Sequence, residues 1–404
     1  MLKKFIFLSF LMLICVTYSQ QIKTIQLKQL GQNNFSTIVP LGQPLELSFD
    51  DLDADQKAYS YKIEQMTFEW KQSDLSTNEY IEGFDQNTIQ NYENSFNTLQ
   101  SYTHYKVQIP NTTTKITKSG NYVISVLDEN EEVVFSRRFT LYESIATVGL
   151  SVTRSKDPKT RNQQQTVKFS VHHATIKINN PAQEIKIAVL QNNNWQTAIS
   201  HLKPQFYKNN LLEYRYIKKS NFWGGNEFLN FDNKAIRNTN LQIAKVIRKD
   251  LYHHYLYPQE IRATKPYTYN PDINGHFVVR GLEGNNSENE ADYVSVHFAL
   301  ETAKLEHKQV YMYGAFNNFE VNETTEMQYD TIQKMYVGNL LFKQGFYNYR
   351  FVTKNMDNQL DFNEIGGSFY QTENEYTVLV YYKAFGDRYD RVIGIGNSFF
   401  NQQQ

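Results

Sequence analysis

The chain has 404 residues, 40% of them hydrophobic and 15% aromatic, with a formal net charge of −1 and a single cysteine. That balance excludes a disordered or low-complexity chain, and one cysteine excludes a disulfide scaffold. The near-zero charge conceals segregation: residues 20–144 carry 10 basic and 17 acidic side chains, 145–282 carry 20 and 8, and 283–376 carry 6 and 15.

At the start, Lys3 and Lys4 precede an apolar run from Phe5 to Val16, with Thr17 and Ser19 at the small-residue positions of a cleavage site. This predicts a secretory signal peptide over 1–19. Cys15 lies within the run behind Ile14, where lipoprotein processing needs a small residue, so the exported chain is expected to lack cysteine and to rely on apolar burial. No other segment supplies the ~18–20 apolar residues of a membrane helix, and no strand set alternates as a transmembrane barrel would. A direct membrane span is therefore not expected.

Next come TIQLKQL, LELSFD, AYSYKIEQ, HYKVQI, NYVISVLD and VVFSRRFTLY, strand-length segments separated by Asn, Asp, Gly and Pro. They predict an antiparallel β-sandwich over 20–144, with DENEE as a hairpin turn. The polar SKDPKTRNQQQ reads as a linker into a basic middle sandwich over 145–290, built from TVKFSVHHATI, EIKIAVLQ, LLEYRYI and LQIAKV. A third sandwich over 291–385 is expected from ADYVSVHFAL, QVYMYGAF, MYVGNLLF, GFYNYRFV and EYTVLVYY, which leaves 386–404 as a C-terminal tail. The predicted fold class is all-β, a tandem of Ig-like antiparallel sandwiches.

Catalytic signatures are missing: there is no G-x-S-x-G, H-E-x-x-H, P-loop or G-x-G-x-x-G pattern. No enzyme activity, cofactor or small-molecule substrate is expected. His172 and His173 point to opposite faces if they lie in a strand, and His253 and His254 sit among aromatics, so neither pair predicts a metal site. DNQLDFNE has oxygen donors without the glycine and twelve-residue spacing of an EF-hand, and reads as a turn. The basic middle shows no zinc-finger, helix-turn-helix or aromatic RNA-binding pattern, which argues against nucleic acid as a partner. Segregated charge instead suits steered contact between domains or with a protein partner.

Two stretches stand out as candidate partner interfaces. In FWGGNEFLNFDNKAIR, Gly224 and Gly225 would make a sharp turn presenting Trp223, Asn226, Glu227, Phe228 and Asp232 beside Arg237. A plainer reading packs the same aromatics into the sandwich, with Glu227 or Asp232 paired to Arg237. The tail AFGDRYDRVIGIG offers Arg388, Tyr389 and Arg391; it would either add a strand to a partner or pack back onto the last domain.

Val310 to Phe319, with KQGFYNYRF further on, resembles the glycogen-binding E-set modules that precede amylase-type domains. Gly314, Phe316 and Asn317 match that pattern, but Phe319 stands where those modules carry tryptophan. A phenyl ring gives a stacked sugar less surface and no N–H, so YMYGAFNNF is expected to be a structural strand and turn with Phe316 in the core. A glycan-binding module would instead present exposed, coplanar aromatics near Phe319 or Phe369 and Tyr370. The secretory start, FWGGNEFLNFDNKAIR, ADYVSVHFAL and GGSFYQTENEYTVLVYYKAFGDRYDRVIG together resemble the plug protein family of the Bacteroidota type IX secretion system. That resemblance implies a periplasmic, non-enzymatic protein at the outer membrane. It would bind the large translocon β-barrel and close the periplasmic end of its pore.

Overall fold

A computed structural model describes residues 21–31 and 35–400, so the expected signal peptide and Cys15 lie outside the described residues. The strands predicted from 22 to 142 form two facing sheets. One runs Ile22–Gln29, Leu45–Asp51, Thr103–Ile109, Asn91–Asn94; the other runs Ile38–Pro40, Val133–Tyr142, Gly120–Leu127, Ser60–Met66, Gln86–Thr88. Alternation explains the arrangement, since in Ser60–Met66 every second residue, Tyr61, Ile63 and Gln65, is buried. Stacked and edge-on rings of Phe49, Tyr59 and Tyr105 fill the space between the sheets. At DENEE the Asp128 carboxylate accepts the N–H groups of Asn130 and Glu132, and Glu131 takes a left-handed conformation at φ 63°, which closes the hairpin.

Beyond residue 145 the sheets depart from the expected domain limits. SKDPKTRNQQQ is not a linker between domains; it joins two paired strands, Thr147–Arg154 and Gln164–His172, of one sheet. Leu211–Tyr214, Phe206–Lys208 and Asn221–Trp223 complete that sheet. The facing sheet runs Asn194–Ser200, Ile185–Gln191, Asn374–Tyr382, Arg391–Phe400. The middle sandwich is thus closed by strands from the end of the chain. EYTVLVYY is not the fifth strand of the third sandwich, and residues 391–400 are a paired strand instead of a free tail.

The run of apolar residues in these strands has a physical cause. Ile185, Ile187 and Val189 face the middle core with Tyr376, Val378 and Val380, while Ala188, Leu190, Leu379 and Tyr381 pack on Ile38 and Phe68 of the first sandwich. A strand covered on both faces has no polar face to alternate with. Gly394 and Gly396 permit the close approach of the last strand, since a Cβ there would meet the Ala146 carbonyl oxygen at 2.6 Å and Val148 at 2.7 Å.

The third unit is one large sheet inserted between Trp223 and Asn374. Its strands follow the order Leu229–Asp232, Gly345–Asn355, Lys308–Tyr313, Glu326–Asp330, Met335–Lys343, Tyr293–Glu301, Tyr252–Leu256, Ile243–Arg248. LQIAKV, expected in the middle sandwich, supplies the last of these, so a boundary at 290 cuts through a sheet. Its core is aromatic, with Phe231 stacked on Tyr347 at 5.2 Å and edge-on to Phe342. Among the described residues no helix is long and apolar enough to cross a membrane.

Candidate partner interface and the crossover between domains

The chain leaves the middle sandwich through FWGGNEF and returns through GGSFYQTEN. The two segments lie against each other. Phe369 N–H donates to Gly225 O at 2.8 Å, the Thr372 hydroxyl to the same oxygen at 2.9 Å, the Asn226 amide to Gly366 O at 2.7 Å and the Asn374 amide to Gly224 O at 2.9 Å. Gln165 of the middle sheet donates to Tyr370 O and Thr372 O at 2.7 and 2.8 Å, anchoring the return segment. Gly224 is required here because a Cβ would lie 2.0 Å from the Phe369 carbonyl oxygen. Gly224→Ala is expected to destabilise the protein by about 1–3 kcal/mol through overpacking, read by chemical denaturation, with earlier proteolysis near the crossover.

Gly224, Gly225, Asn226, Glu227 and Phe228 are buried, so the expected recognition loop is an internal joint. Only Trp223, 46% exposed, faces solvent among them. Glu227 accepts the Tyr267 hydroxyl at 2.5 Å and Glu373 N–H at 3.1 Å. Burial nevertheless pushes its carboxyl up to about 7, against those hydrogen bonds and helped by the nearby Asp272 and Glu373 charges. Arg237 does not pair with Glu227 or Asp232: it is exposed and sits 3.7 Å from Glu283, while Asp232 pairs with Arg280 at 2.6 Å and Lys234 at 3.2 Å. The tail residues serve the contact with the first sandwich. Arg388 bonds Glu79 at 3.0 Å and the Asp74 carbonyl, Arg391 bonds Glu143 at 3.0 Å, and the Tyr389 ring lies under Lys118.

Sequence reasoning missed the joint between the first and third units. Asp50 and Lys343 are both fully buried and 2.7 Å apart. The Asp50 carboxylate also accepts the Tyr293 hydroxyl at 2.6 Å and meets His104 Nδ1 at 2.5 Å. Lys343 donates to Glu288 O at 2.5 Å and lies 4.0 Å from the Tyr102 ring centroid. Burial opposes ionisation of Asp50, yet Lys343 and His104 outweigh it and hold the carboxyl below its ordinary range. The available signal was a lone lysine inside the apolar run LLFKQGFY.

YMYGAFNNF is a strand end and a tight turn. Asn317 closes it, its Oδ1 accepting Gly314 N–H at 3.1 Å and its amide donating to Met312 O and Glu320 O. Phe316 packs on Phe342 at the edge of the third core. Phe319 is tilted 55° to Tyr313 and 85° to His276, Phe369 is tilted 46° to Tyr267, and Arg154 covers Tyr370 at 4.0 Å. Neither phenylalanine lies parallel to these aromatic neighbours. Of the histidines, His254 is buried against Ile236 O, and His253 meets His297. In DNQLDFNE the Asp361 carboxylate caps the N–H groups of Asn363 and Glu364 as a turn residue does. Asp51, Asp53 and Asp55 cluster closely enough for a cation, but the Lys57 ammonium already sits among them, 2.9 Å from Asp51 and 3.5 Å from Asp55.

Residues 22–143, which span the first sandwich, match the family described as Type 9 secretion system plug protein 1st domain. Over these residues the chain carries the first domain of the type IX secretion system plug protein family. A crystal structure of a hypothetical protein from Parabacteroides merdae ATCC 43184 is similar over 95% of this chain and 98% of its own, with 31% identity and a TM-score of 0.91. The likeness therefore includes the inserted third unit as well as the two sandwiches. No curated protein matches the chain. That domain associates the chain with the type IX secretion machinery.

Proposed function

We propose that the protein is a non-enzymatic periplasmic plug, peripherally attached at the outer membrane, that binds the translocon β-barrel and closes the periplasmic end of its pore. The observation that carries the reading is that every pair of domains is fastened. The first and middle units share an apolar seam, the first and third share the Asp50–Lys343 pair, and the middle and third share a doubled crossover. An occluding body must resist deformation, and three mutually locked β units do so without disulfides. The contact surface is drawn from exposed groups. Trp223, Arg237 and the bare Phe385 beside Arg388 are the first to test, since aromatic and arginine side chains commonly anchor interfaces.

The test is affinity capture from detergent-solubilised outer membranes with tagged full-length protein. Recovery of a very large β-barrel is expected, and Phe385→Ala or Trp223→Ala should reduce it if either lies at the interface. Capture without any outer-membrane barrel would overturn the proposal.

A further inference from the structure

Between the middle and third units, beside the crossover, lies a cavity of about 170 Å³. A single water needs about 10–15 Å³ of such space, so the cavity has room for a body the size of one sugar ring. Its wall includes the Arg350 guanidinium, whose Nε is buried and without a hydrogen-bond partner. Among the described residues no carboxylate pairs with it. Asp272, which it senses, is engaged by the N–H groups of Phe228 and Asn274, and the guanidinium lies over the Phe228 ring, 3.7 Å from its centroid. Burial draws Arg350 down to about 10, so it stays charged at neutral pH. A half-buried cation with a buried, unpartnered N–H is costly, and in a cavity wall it offers a place for an anion.

The rest of the wall states what kind of anion. Asn274 and Asn363 line the cavity and bring side-chain amides to it. Phe319 and Phe362 supply apolar walls, and the half-exposed Trp223 stands at the rim. A guanidinium for a carboxylate, amides for hydroxyl groups and an aromatic face for ring C–H groups are the complement of a carboxylated sugar. We propose that this cavity binds a monosaccharide-sized sugar acid, with its carboxylate on Arg350, its hydroxyls on Asn274 and Asn363, and its ring against Trp223 and Phe319. The site differs from an open aromatic platform for neutral glucan, and it stands independently of the plug reading.

The test is calorimetric titration of the full-length protein with sodium D-glucuronate and sodium D-galacturonate. D-glucose, sodium acetate and an acetylated glutamate-containing peptide serve as controls. Saturable binding of a uronate is expected, with neither glucose nor acetate matching it. Arg350→Gln should abolish the binding while leaving the fold intact, since it removes an unpaired, half-buried charge. Trp223→Ala, at an exposed rim position, should weaken it roughly tenfold, the equivalent of about 1.4 kcal/mol. The proposal is overturned if neither uronate binds, if Arg350→Gln or Trp223→Ala binds as well as the parent, if glucose or acetate binds equally, or if the acidic peptide binds and the uronates do not.

Discussion

Lys343→Ala is expected to destabilise the protein by about 3–5 kcal/mol, the cost of leaving a buried charge without its partner. Asp50 keeps the Tyr293 hydroxyl and His104 after the change, but loses the ammonium 2.7 Å away in a region closed to water. The damage should concentrate where the first and third units meet, around Leu52, Tyr102 and Tyr293. Chemical denaturation would read the size, and limited proteolysis would read the place. Asp50→Asn with Lys343→Met is the informative companion: removing both charges together should recover most of the loss, because a pair replaced by neutral groups of similar volume is often tolerated. A double variant as unstable as the single one would mean that the ammonium matters through Glu288 O and the Tyr102 ring and not through Asp50.

The pair also explains part of what the sequence did and did not disclose. Strands were legible wherever one face was wet, as in SYKIEQM, where alternation maps directly onto burial. They remained legible as strands where both faces were covered, as in IKIAVLQ and EYTVLVYY, but there the pattern does not say which sheet they join. Sheet membership depends on contacts far apart in sequence. Ile185–Gln191 pairs with Asn374–Tyr382 across the entire third unit, and nothing local to either segment records that. Hence the fold class followed from the residues while the limits at 290 and 385 did not.

The candidate site was misread for a related reason. FWGGNEF has the composition of a recognition loop, glycines flanked by polar and aromatic residues, and the same composition suits a joint where two backbones approach closely. Gly224 is needed for the Phe369 carbonyl and not for a ligand. The glycine pair in GGSFYQTEN was the matching signal, since two unusual segments far apart in sequence lie side by side. Arg350 was hidden in GFYNYRF, where its place in the alternation looked like an ordinary surface position of a strand.

Glu227 gives the crossover a dependence on pH. Its carboxyl is held at about 7 in the folded protein against an ordinary value of 4.5. A raised folded value means that the stabilising difference is complete below about pH 4.5 and is lost as pH rises through about 7. The full loss is roughly 3 kcal/mol at 1.36 kcal/mol per pH unit. The groups around it are the Tyr267 hydroxyl, Glu373 N–H, and the charges of Asp272 and Glu373, with Arg262 bonded to its backbone oxygen. Burial also raises Asp272, which adds a slope of the same sign. Glu227→Gln keeps an oxygen for Tyr267 and Glu373 and removes the titration. Denaturation curves at a series of pH values should therefore show the parent losing stability between pH 4.5 and 7, and the variant following only the remaining Asp272 slope. At alkaline pH the variant should be the more stable protein. Parallel curves would mean that Glu227 is ionised throughout, its charge satisfied by the two hydrogen bonds, and that the crossover is insensitive to the pH around it.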